Sequence, residues 1–264
     1  MQTSQIDQLI ASGALFVANH SGGKDSMACL IELAKRVPAS QILVVHASLG
    51  LAEWPGALEK AQEHAEHLGL PFIVARAKKS LFDMVERKFE RDPSVVSWPT
   101  AAQRQCTSDL KRDPIVREVR AYANANGFGP IVNCLGIRAQ ESTARAKRAE
   151  FSVNNRETNN VRSWYEWLPI FNLTVDQVWA AIDTQPVQRH YAYLLGNERL
   201  SCVFCIMASK NDLLVGRQHN PALFEQYVAL EEKTGYTMHQ SRKSLHALTA
   251  DMVLGTQAWD FKVR

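Results

Sequence analysis

Three groups of residues in this 264-residue chain have types and spacings suited to chemistry. The first is Ser21-Gly22-Gly23-Lys24-Asp25-Ser26. Adjacent glycines let the backbone approach a ligand closely, and the two serines add hydroxyl donors. Lys24 supplies a mobile positive charge, and Asp25 can hold a divalent cation such as Mg²⁺. A helix starting inside this loop would aim its free amides and its dipole at the same spot. The combination suits a phosphate chain. It is not a Walker A loop, which needs Gly, four residues, then Gly-Lys-Ser/Thr. The plainer reading is a tight turn that binds nothing.

The second group is Gly136, Arg138, Glu141 and Arg145. Glu141 and Arg145 are spaced i,i+4, and Arg138 precedes them by about one turn. Arginines there can grip phosphates bidentately. Read alone, the segment is first of all a solvated charged helix with local ion pairs worth about 0.2–0.5 kcal/mol each. The third group comes from the five cysteines, Cys29, Cys106, Cys134, Cys202 and Cys205. Cys202-Val-Phe-Cys205 can chelate one iron or zinc, and Cys106 from a distant loop would complete a three-thiolate face. A [4Fe–4S] cluster leads. A persulfide-carrying or dithiol pair, a structural zinc and inert thiols stay open. His190 and His219 are available as a fourth zinc ligand, but their spacing selects neither. Cys29 and Cys134 fall in apolar patterns and read as small core hydrophobes.

The elements that must position these residues alternate in the first 140 positions. Apolar runs at 14–18, 41–46, 71–75 and 130–135 read as strands, and 167–171 as a short fifth. Helical patterns follow at 27–36 and 57–68, from Asp113-Pro114 to near Gly127, and from Thr174 through Ile182. Strands apolar on both faces, separated by helices, predict an α/β fold with a doubly wound parallel sheet. Residues 1–197 read as this domain and 198–264 as a mainly helical extension carrying Cys-x-x-Cys. The apolar fraction of 46% and charged fraction of 22% exclude a disordered chain. No apolar run reaches the ~18–20 residues that span a bilayer, and no secretory signal is visible. The expected setting is cytoplasmic, with reduced thiols.

The loop 21–26 resembles the Ser-Gly-Gly-x-Asp-Ser signature of the ATP pyrophosphatases, the PP-loop or adenine-nucleotide α-hydrolase proteins. That resemblance implies a five-stranded sheet of order 3-2-1-4-5. It also implies cleavage of ATP between its α and β phosphates, adenylylation of an acceptor oxygen and displacement of AMP by a nucleophile. Such a sheet reverses between strands 1 and 4, where ligands bind. The loop 19–26 and the segment after strand 4 are therefore expected to face one pocket. Leu135-Gly-Ile-Arg138-x-x-Glu141-Ser-x-x-Arg145-Ala resembles the second signature of the phosphoadenosine-phosphosulfate (PAPS) reductase superfamily. So do Arg104-Gln-Cys106-Thr-Ser-Asp-Leu-Lys111 and Trp167-Leu-Pro-Ile-Phe171 with Val175-Asp-Gln-Val-Trp179. The resemblance runs from about residue 14 to about 207.

The departures shape the functional expectation. Sulfonucleotide reductases usually carry a degenerate first loop and a catalytic cysteine in Glu-Cys-Gly-x-His near the C-terminus. Here the loop is intact and no cysteine follows Cys205. The intact loop resembles members that hydrolyse ATP: the sulfate adenylyltransferase subunit, FAD synthetase and the sulfur-inserting enzymes for tRNA and DNA. His46-Ala-Ser48-Leu-Gly50 replaces the usual acidic-Thr-Gly turn, so His46 either touches adenine or is an ordinary strand-end histidine. The implied nucleotide set is Ser21 to Ser26, His46, Ser48, Gly136, Arg138 and Glu141. The implied catalytic set is Lys24, Asp25, Arg138, Arg145 and Cys106, with Cys106, Cys202 and Cys205 at the metal.

The expected function is an ATP pyrophosphatase supporting sulfur transfer. DNA phosphorothioation comes first and tRNA thiolation next, with ATP and Mg²⁺ bound and a cysteine desulfurase as the implied donor. A PAPS or adenosine-phosphosulfate reductase, a sulfate adenylyltransferase and a non-catalytic nucleotide-binding or metal-sensing module stand as alternatives; a homodimer is left open. Net charge is only +3, which excludes a global clamp on nucleic acid. Yet residues 138–162 hold six Arg or Lys against three Glu, with Trp164, Tyr165 and Trp167 nearby. Such a mixture can bind a nucleic-acid backbone, although an ordinary charged surface is the slightly stronger reading.

Overall fold

The computed structural model describes residues 2–250; the end of the expected C-terminal extension, 251–264, lies outside them. Helix α1 (Gln2–Ala11) leads to β1 (Leu15–Asn19), α2 (Lys24–Ala34), β2 (Ile42–Ser48), α3 (Ala57–His67), β3 (Phe72–Arg76) and α4 (Leu81–Arg91). A short turn α5 (Gln105–Thr107) runs through a π-turn, Ser108–Arg112, into α6 (Asp113–Ala125) and β4 (Ile131–Cys134). Then come α7 (Thr143–Ala146), β5 (Phe151–Val153), β6 (Trp164–Trp167), α8 (Val175–Asp183), α9 (Lys210–His219), α10 (Pro221–Thr234) and α11 (Leu245–Thr249).

These strands form one six-stranded sheet of order β3-β2-β1-β4-β6-β5. Central β1 lies parallel to both β2 (Phe16 opposite Ile42) and β4 (Phe16 opposite Val132). Successive side chains of each strand feed opposite layers. Phe16, Ala18, Val44 and Val132 join α2 (Met27, Leu30, Ile31) and α8 (Val178, Ile182) on one face. Leu15, Val17, Leu43, Val45 and Ile131 meet Ile115, Val119 and Ala123 of α6 on the other. Burial on both faces is why these strands read as continuous apolar runs. Cys29 and Cys134 sit inside the first of these cores.

The expected fifth strand at 167–171 is shifted. Strand β6 occupies 164–167, parallel to β4, with Cys134 opposite Trp167. Pro169, just beyond, has no N–H to continue the ladder, and the Phe171 N–H donates back to the Leu168 carbonyl at 3.1 Å. A sixth strand, β5, pairs antiparallel with β6 at the edge, so the sheet is mostly rather than wholly parallel. A third core cluster lies beyond the sheet. It joins Trp54, Trp98, Leu110, Phe204, Phe224 and Tyr227, so the Cys-x-x-Cys turn and α10 pack against the segment that follows β2.

Candidate functional site

The loop 19–26 leaves β1 at the switch point and enters α2, whose N-cap is Gly23. Gly22 has φ +76°, and a Cβ there would run into the Ala57 carbonyl, so the turn requires glycine. A Cβ on Gly136 would lie 2.6 Å from the Asp25 carbonyl oxygen, so the chain after β4 packs directly on the first turn of α2. Inside the loop, Ser26 Oγ donates to the Gly23 carbonyl at 2.8 Å, and the Gly22 N–H donates to His20 Nδ1 at 3.0 Å.

A cavity of about 540 Å³ opens above this junction. Four expected residues line it: Lys24, Asp25, Arg138 and Glu141. Arg138 Nε donates to Asp25 Oδ1 at 2.7 Å, and Lys24 Nζ stands 3.6 Å from Asp25 Oδ2. Both cationic side chains are nearly buried, at 6–7% exposure, so this charge cluster is poorly screened. Burial lowers the Lys24 ammonium from its ordinary range; Asp25 opposes this, while Arg138 and Arg199 reinforce it. Glu141 is a hub: it accepts the Arg138 N–H at 2.9 Å, pairs with Arg145 and stands 3.7 Å from Arg199. Arg145 is therefore tied to Glu141 and does not line the cavity.

Sequence reasoning missed the opposite wall, formed by Trp179, Arg189, Tyr193, Asn197, Glu198 and Arg199. Arg189 lies 4.1 Å from the Trp179 ring centroid and is held by both Asp183 oxygens at 2.7 Å. Of these, only Trp179 stands in a recognisable sequence motif, Val175-Asp-Gln-Val-Trp179, which assigns it no role in the site.

His46 does not face the cavity. It is 2% exposed, and its Nδ1–H donates to the His20 carbonyl at 2.9 Å. Its Nε2 faces Glu53 Oε2 at 2.7 Å. Burial of Glu53 is outweighed by His46 and the Leu49 N–H, which hold its carboxyl below the ordinary range. Both ring nitrogens of His46 are thus engaged within the chain, Nδ1 on the loop and Nε2 on Glu53. Ser48 ends β2 beside it, also away from the cavity.

A buried histidine chain supports the loop from below. Because His20 Nδ1 accepts from Gly22, its Nε2 must carry the proton and donate to His64 Nδ1 at 3.2 Å. Burial, helped by His64 and His46, pushes His20 far below its ordinary value. Burial also lowers His64 to about 4. Both rings are neutral in the folded chain, whereas unfolded histidines take up a proton near pH 6.5. The unfolded state then binds more protons, so stability is full above about pH 6.5 and falls toward pH 4. His64 alone is expected to account for roughly 3 kcal/mol of that loss. Urea titrations at pH 7 and pH 4.5 check this. A flat profile is the contrary result, and His64→Asn, which keeps an acceptor, is expected to reduce the slope.

The three expected thiols gather in the third core. The carboxyl side of the β2 loop holds them there: Glu53 and Cys202 form an antiparallel backbone bridge, and the Val203 N–H donates to the Ala52 carbonyl at 2.9 Å. Cys106, Cys202 and Cys205 all act on the Lys111 ammonium, which Cys202 above all pushes upward against its desolvation. Burial pushes the Cys202 thiol up to about 12, with Lys111 pulling it back. The same thiols act on Tyr227, whose ring lies 5.2 Å from Phe204 and whose hydroxyl is fully buried without a hydrogen-bond partner. Among the described residues, no group of three His, Cys, Asp or Glu side chains is arranged to hold a metal ion.

The basic stretches are largely spent on neighbours. Arg120 pairs with Glu157 at 2.8 Å, Arg112 with Asp113 at 3.1 Å, Arg148 with Glu166 at 2.7 Å and Arg156 with Glu157 at 3.3 Å. Among the described residues no helix is long and apolar enough to cross a membrane.

A mostly parallel sheet with Ser-Gly-Gly-Lys-Asp-Ser at its switch point defines an α/β protein of the PP-loop, adenine-nucleotide α-hydrolase-like class. Within it, the chain belongs to the phosphoadenosine phosphosulfate reductase domain family, whose model matches residues 16–208. It is 23% identical over 216 residues to an uncharacterized protein of Methanocaldococcus jannaschii, covering 82% of this chain and 47% of that protein. It is 28% identical over 116 residues to an uncharacterized 37.8 kDa protein of Escherichia phage 186, covering 44% and 34%. The chain thus spans less than half the length of these curated relatives. Among solved structures, the PAPS reductase of Candida auris matches with a TM-score of 0.44 at 14% identity, covering 71% of this chain and 80% of that one. The FMN adenylyltransferase of Candida glabrata bound to FMN and an ATP analogue matches with a TM-score of 0.45 at 12% identity, covering 72% and 55%.

Proposed function

We propose that this chain is an ATP pyrophosphatase that adenylylates an acceptor oxygen and supports its replacement by sulfur. The supporting observation is the cavity in which Lys24, Asp25, Arg138 and Arg199 meet above an intact Ser-Gly-Gly-Lys-Asp-Ser loop. ATP would lie with its phosphates on the amides at the start of α2. Lys24 and Arg138 would neutralise charge developing on the departing pyrophosphate, an effect that is large in a poorly solvated site. Mg²⁺ would be held by Asp25, whose carboxylate now carries Arg138 and Lys24; Arg138 would then turn from the carboxylate to the phosphates.

The thiol pocket supports the sulfur half of the reading. Three cysteines near one ammonium supply the residue types that a thiolate-bound anionic group needs, although the thiols would have to move together to ligate one metal. A [4Fe–4S] cluster on Cys106, Cys202 and Cys205 would supply an open iron for an extra sulfide; alternatively, a persulfide on one thiol would displace AMP with its outer sulfur, and a second of the three thiols would free the product by forming a disulfide that an external dithiol then reduces. Lys111 offsets the negative charge that either group brings. DNA is the first acceptor to test and tRNA the second, with a cysteine desulfurase as donor. Sulfate assimilation is the second reading, favoured by the family to which the chain belongs.

Pyrophosphate release from ATP, assayed with anaerobically purified protein against duplex DNA, tRNA, sulfate and FMN, separates these readings. DNA-dependent release is the expected result. Sulfate-dependent release would replace the lead reading with the second, and tight ATP binding without release on any acceptor would leave a binding module.

A further inference from the structure

The donors that a phosphate chain needs are already engaged. The Lys24 N–H, at the start of α2, donates to the Tyr193 hydroxyl oxygen at 2.9 Å. Lys24 Nζ donates to the Glu198 carbonyl at 2.7 Å. A Cβ on Gly23 would lie 3.1 Å from both Tyr193 Oη and Leu200 Cβ, so the segment 191–200 lies directly on the loop. The amide and the ammonium of Lys24 therefore meet two neutral oxygens, in the place where a polyanion is expected. Resting on the nucleotide reading above, we propose that Tyr193 gates the phosphate cradle: its hydroxyl and the Glu198 carbonyl occupy the Lys24 donors until a polyphosphate displaces them.

The chemistry favours exchange in that direction. Burial pushes the Tyr193 phenol up to about 12, so its oxygen stays protonated and uncharged at neutral pH. Hydrogen bonds to a phosphate oxygen are charge-assisted and roughly twice as strong as neutral ones. A polyphosphate can therefore outcompete the phenol, while a neutral ligand gains nothing by displacing it. The segment is tethered for a small movement rather than for release. On one side His190 Nε2 donates to the Pro55 carbonyl at 3.0 Å, and on the other the Tyr193 ring stands edge-on to Trp179 at 5.0 Å.

Tyr193→Phe keeps the ring and removes the competing oxygen. Isothermal titration with ATP and with inorganic pyrophosphate is expected to give roughly fivefold to tenfold tighter binding by this variant, the equivalent of one hydrogen bond. Hydrogen exchange on the unaltered chain gives an independent reading, with faster exchange across 191–200 expected when ATP is added. Unchanged or weaker binding by a folded Tyr193→Phe protein overturns the gate, as does increased protection of 191–200 by ATP. Absence of ATP and pyrophosphate binding by both proteins overturns the nucleotide reading along with it.

Discussion

Arg138→Met is expected to reduce pyrophosphate release by roughly 10²- to 10³-fold, the usual cost of removing a preorganised cation from a developing charge. Arg138 is 7% exposed and donates to Asp25 at 2.7 Å. Its loss removes one electrophilic contact and leaves Asp25 with Lys24 alone. The stranded carboxylate should also cost roughly 2–3 kcal/mol of stability, below the range for a fully buried pair because Asp25 is 21% exposed. The double variant Arg138→Met/Asp25→Asn separates the two effects. Stability should recover only in part, since Asp25 no longer carries an unmatched charge but Lys24 loses its carboxylate neighbour, while release stays lost. Urea titration and a pyrophosphate assay on the same preparations decide. Recovery of activity in the double variant would mean that Arg138 serves only to neutralise Asp25.

The second large effect falls on the thiols. Cys106→Ser, Cys202→Ser and Cys205→Ser are each expected to abolish sulfur transfer to the acceptor, a loss of at least about 10³-fold, the scale seen when a member of a catalytic set is removed. ATP binding should stay within about threefold, because the cradle is built on α2 and the segment after β4 and touches none of these thiols. Cys29→Ser and Cys134→Ser are the controls. Their thiols are fully buried in the core that α2 packs into, so exchanging each for a smaller, more polar hydroxyl should cost stability and spare sulfur transfer. Labelled-sulfur incorporation alongside ATP titration tests all five variants. Intact transfer by any of the first three removes that cysteine from the reaction.

Strands β1, β2 and β4 were legible because both faces are largely buried, and edge strand β3 because Phe72-Ile-Val-Ala75 still forms an apolar run. Strand β6 was misplaced because Trp164-Tyr-Glu-Trp167 neither alternates nor forms an apolar run, and β5 escaped because three residues carry no period. The near wall of the cavity was legible too, because glycines, Lys24 and Arg138 act through their own chemical types. The far wall was not. Glu198 contributes a backbone carbonyl, which its side chain does not advertise, and Tyr193 reaches the loop from 169 residues away. His20 abuts the signature yet carries no motif; its role appears only once Gly22 turns its N–H onto the ring.

The backbone bridge between Glu53 and Cys202 also bears on how the molecule is made. It closes a span of roughly 150 residues, and contacts of such separation form late because of the chain entropy they cost. Synthesis runs from the N-terminus, and domains fold as they emerge. The strands flanking the loop are complete by Cys134, long before Tyr193, Glu198 and Cys202 leave the ribosome. The loop's flanking strands thus precede the residues that cover it, and Cys106 precedes Cys202 and Cys205. Under the sulfur-transfer proposal, loading of the thiols would fall between their emergence and the closing of that bridge, so the order of the chain would set the order in which the two sites mature.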